Sequence, residues 1–133
     1  MSYFGFKCSS VKYFLGIEVD QSDDGIFICQ AKYTCEILKR LRMQDCNPAA
    51  TPMAIGTKLS KYDEGSYVDP TLYKKLVGSL MYLTATRPDI MFAVSLISRF
   101  MEAPKSTHWQ AGKRILRYIA GTTNFWHLIH IKF

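Results

Sequence analysis

The apolar positions of this chain follow two different periods, about two near the amino end and about 3.6 over most of the rest. From Val11 to Val19 aromatic and β-branched residues predominate. QSDDG then supplies turn chemistry before a second apolar run, IFIC. This predicts a short β-hairpin over residues 11–29, turning near Asp23-Asp24-Gly25. Over residues 30–43, Tyr33, Ile37, Leu38 and Leu41 recur at helical spacing while Lys32, Lys39, Arg40 and Arg42 occupy much of the remainder, an amphipathic helix with a basic outer face. Residues 44–70 lose the periodicity and hold Pro48, Pro52, Pro70, Gly56 and Gly65. They read as a long surface loop and the most flexible stretch of the chain.

Helical periodicity returns over residues 71–122. Asp69 is placed to cap a second helix and Pro70 suits its first turn, where a missing amide costs nothing. Leu72, Leu76, Leu80 and Leu83 form its apolar stripe, and Gly78 with Ser79 predicts a close approach by another helix, offsetting a propensity cost of about 1 kcal/mol for the glycine. Pro88 disfavours helical geometry at Arg87, so the chain breaks and restarts there, with Asp89 favourably near the new amino end. A third helix carries Ile90, Ala93, Val94, Ile97 and Met101 and stops before Pro104. Ser106 or Thr107 is expected to cap a fourth, and Gly121 to end it in a left-handed position. The expected fold class is α+β and mainly helical: a hairpin, about four helices and a tail over 123–133, all in one domain spanning 1–133.

Composition narrows the function classes. Hydrophobic residues make up 48% and charged residues 21% of the 133 residues, a globular balance without an apolar run long enough to span a membrane. The net charge of +6 favours a polyanionic partner. The opening MSYFGFKCSS lacks a long apolar segment and a cleavage site, so an intracellular address, cytoplasm or nucleus, is expected. Cys8, Cys29, Cys35 and Cys46 match neither zinc spacing nor a disulfide framework and read as reduced thiols. His127 and His130 lack acidic or cysteine companions, and no metal site is expected. A glycine-rich phosphate loop and a Ser-His-Asp arrangement are both without support.

Five segments carry a more specific message: YFLGIEV (Tyr13 to Val19), QAKY (Gln30 to Tyr33), ATPM (Ala50 to Met53), LVGSLMYLTATRPDI (Leu76 to Ile90) and HWQAGKRILRYIAGT (His108 to Thr122). In this order and spacing the chain resembles the reverse transcriptase of copia-type retrotransposon Pol polyproteins, downstream of the polymerase active site. The resemblance implies a fragment of a right-hand polymerase fold, comprising the primer-grip hairpin, the thumb and the connection towards RNase H. The intact parent would be an RNA-directed DNA polymerase using magnesium.

In that family the catalytic aspartates precede the FLG strand. Asp23-Asp24 follows it, in a turn where aspartates serve local backbone needs. The RNase H carboxylates of the family lie beyond the last motif, whereas this chain ends NFWHLIHIKF. The resemblance therefore implies no catalytic residue, no metal and no cofactor in this chain, and no polymerase activity from it alone. Phe14, Leu15 and Gly16 correspond to the primer grip. Lys32, Lys39, Arg40 and Arg42 on one helix, with Lys113, Arg114 and Arg117 on another, are the candidates for weak contact with the backbone of an RNA/DNA hybrid or another nucleic acid. The palm and RNase H domains of the parent are the implied protein neighbours, and no membrane partner is expected. The alternative is a domesticated, transposon-derived protein-interaction module without polymerase activity.

Overall fold

The change of period separates a sheet from a helical layer. A computed structural model of the protein describes residues 12–14, 16–23, 25–123 and 127–129. Leu15, Asp24, Cys8 and His130 lie outside the described residues. Strands β1 (Lys12–Phe14), β2 (Ile17–Ser22) and β3 (Gly25–Cys29) are followed by helices α1 (Ala31–Arg40), α2 (Pro70–Leu83), α3 (Met91–Ile97) and α4 (Ser106–Ala120), then β4 (His127–Ile129). The α+β class expected from the sequence is what forms. The sheet is larger than the expected hairpin, a four-stranded antiparallel sheet in the order β1-β2-β3-β4.

Two local facts enlarge it. The run Val11–Val19 is not a single strand: Phe14 pairs with Ile17, and the chain reverses through Gly16 at φ 79°, a left-handed value that favours glycine. At the other end, three residues of the tail form β4, with Leu128 opposite Phe27 of β3. The reversal from β2 to β3 is where the sequence placed it, with Ser22 paired to Gly25.

The core is helical. Tyr73, Leu76, Val77, Leu80 and Leu83 of α2 pack with Ala93, Val94 and Ile97 of α3, Ile115, Leu116 and Ile119 of α4, and Ile37 and Leu38 of α1. Leu72 is half exposed, and Tyr73 takes the buried place expected for it, donating its hydroxyl to the Ile97 carbonyl at 2.5 Å. The glycine expectations also change places. A Cβ at Gly78 would meet nothing within 4 Å, whereas one at Gly112 of α4 would lie 2.7 Å from Leu76 Cδ2, so Gly112 is the close-approach glycine between helices. Gly121 is not left-handed, with φ −80°. It makes room for Pro48, whose Cβ would lie 2.9 Å from an added Cβ. The left-handed helix end belongs instead to Arg42, φ 55°, where Arg42 N–H donates to the Lys39 carbonyl and Met43 N–H to that of Leu38, a Schellman closure of α1.

Helix starts follow the expected chemistry at α2, where Asp69 Oδ1 accepts from Thr71 N–H at 2.9 Å. Pro88 leaves Arg87 non-helical, φ −128° and ψ 72°, as expected. At α4 neither Ser106 nor Thr107 is the cap. Lys105 holds that position, and its amide donates to Nδ1 of the fully buried His108 at 3.0 Å.

Residues 44–70 are better held than their composition implied. They run antiparallel along α4: the Asn47 carbonyl accepts from Arg117 Nε, Thr51 Oγ1 from Arg114, the Ser60 carbonyl faces His108 Nε2 at 2.8 Å, and Val68 N–H donates to the Pro104 carbonyl. With Nδ1 accepting an amide hydrogen, Nε2 is the donor to Ser60, and Phe100 stacks on the ring at 3.9 Å. The loop is a strap fastened at both ends to one helix.

Candidate nucleic-acid interface

Polar side chains from the sequence motifs lock the sheet to the helices. Glu18 of β2 reaches the start of α1, where its Oε2 accepts from Ala31 N–H at 2.9 Å and from the Cys29 thiol at 3.2 Å. A carboxylate there also complements the positive end of the helix dipole. Thr86, just beyond α2, donates its hydroxyl to Gln30 Oε1 at 2.7 Å in a buried bond. Arg87, 5% exposed, grips Asp89 through two hydrogen bonds of 2.9 and 3.1 Å and donates to the carbonyl and hydroxyl of Thr122, past the end of α4. Tyr118 donates to the same carboxylate at 2.6 Å. Burial by itself would raise the Asp89 carboxyl, but the Arg87 and Tyr118 hydrogen bonds and the Arg87 charge hold it below its ordinary value. Burial, then the bond to Asp89, raises Tyr118. Arg87 and Asp89 therefore pair across the proline-defined helix start, and the contact extends to α4.

With the inner face of α2 fixed, its outer face is an exposed strip: Lys74, Lys75, Gly78, Met81 and Tyr82. Spacings of three and four residues put these on one side, and Lys74 to Tyr82 spans about 12 Å. Tyr82 packs edge-on against Tyr33 of α1 at 4.6 Å. Its hydroxyl oxygen lies 2.8 Å from where a Cβ on Gly16 would be, so the turn between β1 and β2 abuts the end of the strip. A side chain at Gly16 would separate them.

Of the positions expected to touch nucleic acid, Lys32, Lys39, Arg40 and Arg42 are exposed. Lys39 and Arg42 come together in a recess of about 340 Å³ with Gln44, Asp45 and Cys46. Arg114 and Arg117 are turned to the strap, bonded to Thr51 at 3.0 Å and Asn47 at 2.8 Å, and Lys113 is half buried. Phe14 closes β1 and Gly16 forms its turn. Lys74 and Lys75 lie opposite the apolar stripe of α2 that the sequence marks, and Tyr82, whose helical spacing suggests core packing, is instead 40% exposed. The consecutive lysines on the opposite face were the available signal.

Between the turn 54–57 and α3 lies a groove of about 460 Å³ lined by Met53, Ile55, Phe92, Ala93 and Leu96. Among the described residues, no three His, Cys, Asp or Glu side chains are grouped to hold a metal ion. No helix among them is long and apolar enough to cross a membrane.

Against known proteins, residues 1–55 match the family model of reverse transcriptase (RNA-dependent DNA polymerase). The chain is 48% identical over 120 residues to the retrovirus-related Pol polyprotein from transposon RE1 of Arabidopsis thaliana, covering 90% of this chain and 8% of that polyprotein. It is 45% identical to the corresponding polyprotein from transposon RE2, with the same coverage. An uncharacterized mitochondrial protein of Arabidopsis thaliana is 40% identical over 112 residues, 84% of this chain and 46% of that protein. The chain thus spans less than half the length of each of these relatives. No solved structure matches it.

Proposed function

We propose that the chain derives from the reverse transcriptase of a copia-type Pol polyprotein, a reading supported by its similarity to the polyproteins of transposons RE1 and RE2 and by its match to the reverse transcriptase family model, and that it provides a noncatalytic surface gripping an RNA/DNA hybrid. The observation that carries this reading is the exposed Gly78. A glycine in the middle of a helix costs about 1 kcal/mol relative to alanine, and none of the described residues comes within 4 Å of where its Cβ would be. A close approach from outside the chain accounts for it. Lys74 and Lys75 one turn earlier supply charge for phosphates, and Tyr82 one turn later supplies a flat, partly apolar surface. That combination suits the wide, shallow minor groove of an A-form duplex, which is read by shape and backbone contact. The strip ends at Gly16, so a duplex lying along α2 would bring its terminus to the primer-grip-like turn. Magnesium and catalytic carboxylates belong, in this reading, to other parts of the parent polyprotein.

Fluorescence polarisation with a labelled RNA/DNA hybrid tests the grip. Gly78→Gln should weaken binding at least tenfold without lowering Tm, and Lys74→Gln with Lys75→Gln should reduce the steepness of the salt dependence. Unchanged binding by Gly78→Gln would refute the interface. For the noncatalytic half, purified protein should not extend a primed RNA template with magnesium and dNTPs. Extension that vanishes in the double variant Asp23→Asn, Asp24→Asn would overturn it.

A further inference from the structure

We infer that the strap carries a second, separate binding surface for single-stranded nucleic acid, built on Tyr62 and Tyr67. Both rings stand in solvent, 78% and 73% exposed, although their backbone is held. Tyr62 N–H donates to Ser60 Oγ at 3.1 Å. Tyr67 bridges Lys105, flanked by bonds of 2.9 Å from Val68 N–H to the Pro104 carbonyl and from Ser106 N–H to that of Ser66. Large exposed aromatics on a fastened backbone are preorganised platforms, because little freedom remains to be lost on binding.

Their surroundings favour bases over other flat ligands. An ammonium accompanies each ring: Lys61 Nζ is 5.0 Å from the Tyr62 centroid and Lys105 Nζ 5.5 Å from that of Tyr67. Lys105 is kept there by its bond to the Asp63 carbonyl at 2.5 Å. Rings that accept stacked bases beside cations that accept phosphates form the recurring combination of sequence-tolerant single-strand binders. The chain's charge of +6 adds a general attraction. A duplex hides the faces of its bases, so these rings offer it little. The Asp63 carboxylate is occupied locally, accepting from Ser60 N–H at 3.1 Å and Thr107 Oγ1 at 3.3 Å. Glu64 is exposed between the tyrosines and opposes a phosphate chain.

Fluorescence polarisation at one fixed salt concentration, with a labelled oligo(dT) or oligo(U) and in parallel with an RNA/DNA hybrid, tests this. Tyr62→Ala with Tyr67→Ala should weaken single-strand binding at least tenfold and hybrid binding less than twofold. Phenylalanine at both positions should keep single-strand binding within twofold, and Glu64→Gln should tighten it. Because the rings pack little, the alanine variant should melt at the wild-type temperature, which separates lost stacking from lost structure. Gly78→Gln should give the opposite pattern, so failure of the hybrid grip and failure of this surface are distinguishable. Single-strand binding that is absent in the wild type, unaffected by the double alanine variant, or lost equally with phenylalanine would overturn the inference.

Discussion

At Gly78 and Gly112 the same residue type answers to opposite surroundings. Gly78→Ala adds a methyl group to open space in an exposed helix interior and should stabilise the protein by about 1 kcal/mol. Gly112→Ala would push against Leu76 in a close-packed core and should destabilise it by roughly 1–3 kcal/mol. Thermal melts of the two variants check both signs. Sequence spacing predicts that a glycine mediates helix contact, but one chain's periodicity does not say which helix face another helix reaches, and the contact falls at Gly112 rather than Gly78. Arg87 and Asp89 were legible because Arg-Pro-Asp fixes its own local geometry. Their reach to Tyr118 and Thr122, about thirty residues on, was not. The depressed Asp89 carboxyl sets a pH dependence. Its folded-state pKa lies below the unfolded one, so its stabilisation is present above about pH 4 and is lost as pH falls through the folded value. Asp89→Asn should flatten the acid limb of a plot of Tm against pH. The raised Tyr118 works in the other direction, its contribution being lost as pH rises past about 10.

Among the elements, helices and the reversal from β2 to β3 were recoverable from period and turn residues, because each is settled within a few residues of sequence. Those settled by distant partners were not. The strand at His127–Ile129 exists through pairing with β3, and the 44–70 strap is ordered through bonds to α4 that composition cannot announce. His108 is the clearest case. One of its nitrogens caps α4 and the other holds the strap. His108→Ala removes both bonds and the ring stacked on Phe100. A loss of roughly 2–4 kcal/mol is expected. Hydrogen exchange should report faster exchange at Ser106 and Val68 amides than in α2, and uniform protection across both would contradict the strap's dependence on this ring.

Across the whole molecule, a similarity to reverse transcriptases was legible from five short segments while their physical role was not. Glu18 joins the sheet to α1, Gln30 and Thr86 join the start of α1 to the end of α2, and Arg87 with Thr122 joins the α2–α3 break to the end of α4; the candidate interface occupies the solvent side of α2 that these joints leave exposed. The reverse transcriptase match ends at Ile55, in a turn where Thr57 N–H closes onto the Ala54 carbonyl and Gly56 supplies the left-handed residue. Yet the Thr86–Gln30 bond crosses that point, as do the β3–β4 pairing and the Arg117 bond to Asn47. Coexpressed as separate polypeptides, residues 1–55 and 56–133 should therefore copurify as a folded pair, with neither half giving a cooperative melt alone. The strap, read this way, is a dispensable covalent link: cutting it at its outermost turn would leave a complementing heterodimer rather than two domains.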